Sequence, residues 1–131
     1  MTSVGIIGDC ALLALGGGLG ALSRFGVTQL PFIEHDKFYY TVGINIAGSL
    51  VIGILWAVFH YLGVPRWVYM LAITGFLGGY TTYSSFSLDA MQLLHDGRIA
   101  EMLSYVAITL LGGLGACALG LFGTDRLLKL I

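Results

Sequence analysis

The sequence predicts an all-α membrane protein of four transmembrane helices, the third broken near the midplane. Three observations carry that prediction. Charged residues fill only 10% of the 131 positions and hydrophobic ones 57%, with a mean hydropathy of +0.91, whereas a soluble domain carries about a quarter charged residues. Four apolar stretches follow one another with only short polar connections. The third of them is interrupted by glycines and hydroxyl residues that make a poor helix.

The spans fall at about residues 4–23, 38–62, 67–94 and 100–122. Each is long enough to cross roughly 30 Å of hydrocarbon at 1.5 Å per residue. Little is left for a soluble unit, so residues 1–131 read as a single transmembrane domain. The first span carries a GxxxG pair, Gly16 and Gly20, beside Gly17, Gly18 and Ala21, and closes near Arg24. The second carries Gly43, Ala47, Gly48 and Gly53, and the fourth Gly112, Gly113, Gly115, Ala116 and Gly120. Small residues let membrane helices approach closely where apolar burial drives no association. A unit this small is expected to pack against a second copy.

The third span holds Gly75-Phe76-Leu77-Gly78-Gly79-Tyr80-Thr81-Thr82-Tyr83-Ser84-Ser85-Phe86-Ser87-Leu88. A glycine costs roughly 1 kcal/mol in a helix interior. In hydrocarbon, non-helical backbone persists only where protein or a water-filled cavity covers it, so a break here reads as a site. Thr81, Thr82, Ser84, Ser85 and Ser87 supply hydroxyl donors. Tyr83 and Phe86 share a face if the chain is helical again after the break, and aromatic rings carry positive edges. Such edges, hydroxyl hydrogens and amide N–H groups suit a small anion, while freed carbonyls suit a small cation. Asn45 in the second span is either a tie between helices or a donor lining a passage. Tyr105 and Thr109 stand at i and i+4 and face one side of the fourth span, although a lone membrane Thr commonly bonds to the carbonyl one turn back.

Charge is balanced end to end. Arg66, Arg126 and Lys129 fall at the N-terminal face, and Arg24, Lys37 and Arg98 at the other. The positive-inside rule then has almost nothing to act on, which is what a dual-topology, antiparallel homodimer requires. Arg24 either snorkels to the headgroups or holds a positive potential at a mouth.

Other functions find little support. The six Lys and Arg are scattered and suggest no nucleic acid. Cys10 and Cys117 read as small hydrophobes, and the N-terminus lacks the basic region of a signal peptide. His35, His60 and His95 fall at or near connections without metal-ligand spacing. Asp9, Asp89, Glu101 and Asp125 read as solvated carboxylates toward segment ends. No nucleophile, base and orienter assemble, so an enzyme is not expected.

Three stretches together resemble the Fluc (CrcB) family of small fluoride channels. Gly17 to Arg24 resembles the family's glycine-rich, arginine-ended first helix. Thr41-Val42-Gly43-Ile44-Asn45-Ile46-Ala47-Gly48-Ser49 resembles its second-helix TxxVNxxGxF stretch, and Gly75 to Ser87 its GxxGGxTTFSTFS signature. The resemblance spans essentially the whole chain. It implies an antiparallel dual-topology homodimer in the cell inner (plasma) membrane, with two fluoride pores and passive fluoride export. It also implies a central structural Na⁺ held on the backbone carbonyls of Gly78 and Thr81 of both copies. The pore residues it implies are Asn45, Tyr83, Ser84, Ser85, Phe86, Tyr105 and Thr109, with Arg24 as the charge at the pore mouth. Partners would be fluoride, membrane lipid and a second copy. Tyr83 stands where the family usually has Phe, and Ser85 where it usually has Thr; the Tyr keeps a ring edge and adds a hydroxyl able to donate to an anion or to block its path. The alternative is a proton-coupled exporter similar to the small multidrug transporters, which need a membrane-embedded first-helix glutamate; only Asp9 is available to it. A non-transporting assembly subunit is the remaining possibility.

Overall fold

The protein is described here by a computed structural model that covers residues 5–31 and 37–131. Val4, where the first span was expected to start, and His35, in the first connection, lie outside the described residues. Helices α1 (Gly5–Thr28) and α2 (Phe38–Leu62) are followed by an interrupted segment and then by α6 (Ile99–Leu128). The interrupted segment comprises α3 (Arg66–Tyr69), a π-helical stretch (Met70–Leu77), α4 (Gly78–Tyr80) and, after a break at Thr81 and Thr82, α5 (Tyr83–His95). No strand occurs among the described residues.

α1, α2 and α6 are each long and apolar enough to cross a membrane, and within their most apolar windows only 11%, 22% and 11% of residues are buried in the protein. Most of the apolar side chains therefore face outward, an arrangement that needs lipid rather than water around it. Helices α1 and α6 run past the expected ends at residues 23 and 122 to Thr28 and Leu128. Helical hydrogen bonding does not stop where the hydrocarbon does, and Lys129 bonds back to Asp125 at 2.7 Å over the last turn. Helix α2 ends at Gly63, whose φ of +60° lets its N–H cap the Phe59 carbonyl.

Two pairings organise the packing: α2 lies along α6, and α1 lies along residues 70–80. Both depend on glycine. A Cβ at Gly53 would run into the Cys117 carbonyl and one at Gly120 into the Leu50 carbonyl. On the other seam, a Cβ at Gly16 would strike the carbonyl of Leu71, one at Gly20 that of Phe76, and one at Gly79 that of Gly17. The GxxxG pair of the first span is thus consumed inside the chain, not held out for a second copy. Gly75, Gly78 and Gly79 are helical, so they do not make the break; Gly75 and Gly79 are instead what lets the π-helical segment sit against α1.

Helix α5 packs on α6 and α2, where Phe38, Phe86, Ala90, Leu93 and Tyr105 form the core. Phe86, Asp89, Ala90 and Leu93 are its buried residues, an i, i+3, i+4, i+7 face. At one end of the molecule Arg66 bonds to Asp9 at 2.8 Å. At the other, Lys37 and Arg98 both lie 5.7 Å from the centre of the Phe38 ring, a cation–π arrangement.

Candidate functional site

The break is made by Thr81 and Thr82, both extended, with φ, ψ of −79°, 157° and −148°, 111°. Asn45 holds it open. Its Nδ2 donates to the Thr82 carbonyl at 3.0 Å, and its Oδ1 accepts from the Thr82 N–H at 2.8 Å. One turn along α2, Gly48 leaves room for the Thr81 methyl and the Tyr80 ring, which a Cβ there would crowd. Asn45 and Gly48 thus form a seat for the break on one face of α2. Both ends of the Asn45 carboxamide serve as a tie between helices, and one of its two Nδ2 hydrogens remains outside that tie.

The chain restarts its helix on Thr82 as N-cap: its Oγ1 accepts from the Ser85 N–H at 3.2 Å and donates to Ser85 Oγ at 3.0 Å. This capping redirects two amides. The Thr82 N–H goes to Asn45 instead of the Gly78 carbonyl, and the Ser85 N–H goes to Thr82 Oγ1 instead of the Thr81 carbonyl. The carbonyls of Gly78 and Thr81 therefore lose the partners that an unbroken helix would supply. Their chemistry, hard neutral oxygens beside a cavity, fits a small cation such as Na⁺.

A cavity of about 550 Å³, open on one side, lies against the break. It brings together Asn45, Gly78, Thr81, Tyr83, Phe86 and Thr109 of the residues singled out in the sequence, with Thr82 and Ser49 added. Ser85 and Arg24 are elsewhere. With Thr28, Thr41 and Thr82 they line a second cavity of about 290 Å³ on the α1 side of the break. Thr82 borders both cavities and is buried. Ser84 is exposed, its Oγ 3.4 Å from Thr82 Oγ1.

An aromatic ladder leads away from the first cavity. Tyr83, largely exposed, has its ring centre 5.8 Å from that of Phe86. Phe86 stacks on Tyr105 at 5.5 Å, and Tyr105 meets Phe38 edge-on at 6.1 Å. Tyr105 and Thr109 are both buried, on one face of α6. Thr109 does not bond to the carbonyl one turn back. Its Oγ1 is buried without any hydrogen-bond partner, a position that costs about 1–3 kcal/mol unless something arrives to bond it.

Asp89 requires a correction. It is not a solvated carboxylate toward a segment end: it is 5% exposed, and its Oδ2 accepts from the Tyr105 hydroxyl at 3.0 Å. The signal was present, since Asp89 is three residues after Phe86 and therefore shares its face once α5 is in register. Of the five Ser and Thr residues within 81–87, Thr82 is the one clamped by Asn45 and capping α5. Asp9, by contrast, does lie near the end of its helix and is paired with Arg66. His60 stacks on Trp56, and no group of three or more His, Cys, Asp or Glu suited to a metal occurs among the described residues.

Residues 11–121 match the family model described as CrcB-like protein, Camphor Resistance (CrcB). The chain belongs to the CrcB family. Among its curated relatives is the fluoride-specific ion channel FluC of Azotobacter vinelandii, 42% identical over 91% of this chain and 98% of the relative. Proteins of the same name from Francisella philomiragia and Pseudomonas fluorescens are 40% and 41% identical, covering 85% and 83% of this chain and 90% of each relative. With three helices able to span a bilayer, this CrcB-family chain is a membrane protein.

Proposed function

We propose that the chain is a fluoride-selective channel that lets fluoride leave the cell passively through the inner membrane, working as an antiparallel dual-topology homodimer of four-span subunits. The observation that carries the proposal is the likeness, over nearly the full length of this chain, to proteins named fluoride-specific ion channels. The cavity supports it by its chemistry: ring edges of Tyr83 and Phe86, the unpartnered Thr109 hydroxyl and the Asn45 amide, with no Lys or Arg among its lining residues. Fluoride holds its water tightly, so a selective passage must replace that water with several fixed donors. Weak neutral donors in series let the ion enter and also leave, whereas one buried ammonium would trap it.

In this reading Phe86, held flat against Tyr105, presents a fixed ring edge, and Tyr83 presents an exposed one with a hydroxyl added. Thr109, Ser84 and Ser85 add hydroxyls along the route, Tyr105 adds its ring while Asp89 holds its hydroxyl, and Arg24 raises the potential of the second cavity for an incoming anion. The carbonyls of Gly78 and Thr81, duplicated in a second copy, would hold a structural Na⁺, whose charge would offset the carbonyl dipoles gathered at the dimer centre.

Purified protein in liposomes loaded with fluoride is expected to release it rapidly, read with a fluoride electrode, and to release chloride very slowly under the same conditions. Equal rates for the two anions would sink the proposal. Phe86→Ile is expected to cut fluoride flux strongly without changing the elution volume of the detergent-solubilised protein.

A further inference from the structure

We propose that Ser49 is the next anion-binding hydroxyl after Thr109, supplied by α2 at a level where α6 has none. The inference rests on the channel reading above and names a binding residue that reading leaves out. It starts from Thr109, whose buried Oγ1 finds no partner although it lines the main cavity. A donor kept in that state marks where an ion gains its bonds. One turn further along α6, on the same face, stands Gly113. It offers no side chain, and the space beside it is occupied from the other wall: a Cβ at Gly113 would lie 3.5 Å from Ser49 Oγ. Ser49 and Gly113 both line the cavity.

The Ser49 hydroxyl is also cheap to recruit. Its hydrogen rests on the Asn45 carbonyl at 2.7 Å, one turn back on α2. In a helix that carbonyl also accepts the backbone N–H four residues on, here that of Ser49 itself. Turning the hydroxyl toward an ion therefore leaves no carbonyl orphaned. Thr81 Oγ1 is held in the same way, on a Leu77 carbonyl that also accepts the Thr81 N–H, but Thr82 Oγ1 is not free, since it caps α5. Along the wall between α2 and α6, the ion would meet first an idle donor and then a releasable one.

The test is fluoride efflux from liposomes with the wild type, Ser49→Ala, Gly113→Ser and the double variant. Ser49→Ala is expected to slow fluoride about tenfold, the loss of one hydrogen bond to a charged group. Adding Gly113→Ser returns a hydroxyl from the opposite wall and is expected to restore most of the rate. Wild-type flux with an unchanged Ser49→Ala rate overturns the proposal alone, as does a slow Ser49→Ala that Gly113→Ser fails to rescue. A wild type that carries no fluoride overturns the channel reading and this proposal together. If Ser49→Ala elutes as aggregate, the near-isosteric pair Ser49→Thr and Ser49→Val decides: the proposal requires the Thr variant to be the faster, and equal rates refute it.

Discussion

The two halves of the interrupted segment are held by opposite means. Residues 70–80 lie on α1 through glycine against backbone, with the Asp9–Arg66 pair as the polar tie at the far end. Residues 81–95 are held by polar contacts with exact partners: Asn45 on Thr82, Thr82 on Ser85, Tyr105 on Asp89. The first half leaves no room for added volume along its seam. The second is intolerant of a missing partner. A membrane protein can build both because lipid does not reward apolar contact between helices, leaving close packing and hydrogen bonds to hold the structure.

The largest effect that separates the halves is expected from Gly20→Leu. Its side chain would have to pass through the Phe76 carbonyl, so α1 must part from the π-helical segment, and the cost is expected to exceed several-fold the about 1–3 kcal/mol of milder overpacking. The check is the fraction of protein surviving heating in detergent, where Gly18→Leu serves as control because nothing lies within 4 Å of a Cβ there. A Gly20→Leu protein as stable as the control would break the comparison.

Next comes Asn45→Ala, which strands both polar groups of Thr82, at about 1–3 kcal/mol for each group left dry. Asn45→Asp sharpens the point: it keeps an acceptor for the Thr82 N–H but loses the donor to the Thr82 carbonyl. Its carboxylate also faces the Thr82 carbonyl as an unpaired charge, so the variant is expected to fall no higher than Ala in thermal midpoint and below Ala in fluoride flux. A smaller effect, about 1 kcal/mol, is expected from Thr82→Val, which removes the N-cap of α5; Thr82→Ser keeps the oxygen and is expected to match wild type in the same melting assay. The smallest should come from Asp9→Asn. Asp9 keeps only 16% of its side chain accessible, but its Arg66 partner keeps 51%, which holds the pair near the upper end of the about 0–1 kcal/mol of exposed pairs. Flux through Asp9→Asn at the wild-type rate, with and without a pH gradient, would also remove the proton-coupled reading.

Much of the fold is legible in the sequence because its causes are local. Stretches of apolar residues with few charges specify α1, α2 and α6, and the limits of α2 coincide with the expected 38–62. The interruption of the third segment is legible too, but its agent is not. Glycine is a poor helix former by itself, yet Gly75, Gly78 and Gly79 stay helical, Gly75 and Gly79 against an α1 backbone that only glycine can approach. Thr81 and Thr82 break the helix because Asn45, 37 residues away from Thr82 in the chain, bonds both polar groups of Thr82.

The chain's own chemistry therefore determined that this is an apolar helical protein with a polar, interrupted third segment, since hydropathy and residue type act over a single turn or span. Only the tertiary structure decided which residues do what at the interruption. It set Asn45 as clamp, seated Thr81 on Gly48, and buried Asp89 beneath Tyr105. It left Thr109 without a partner and put Ser49 opposite Gly113. Each of these depends on the distance between two helices and on their rotation about their axes. Those are set by where small residues meet across a seam, and no single stretch of sequence contains both sides of it.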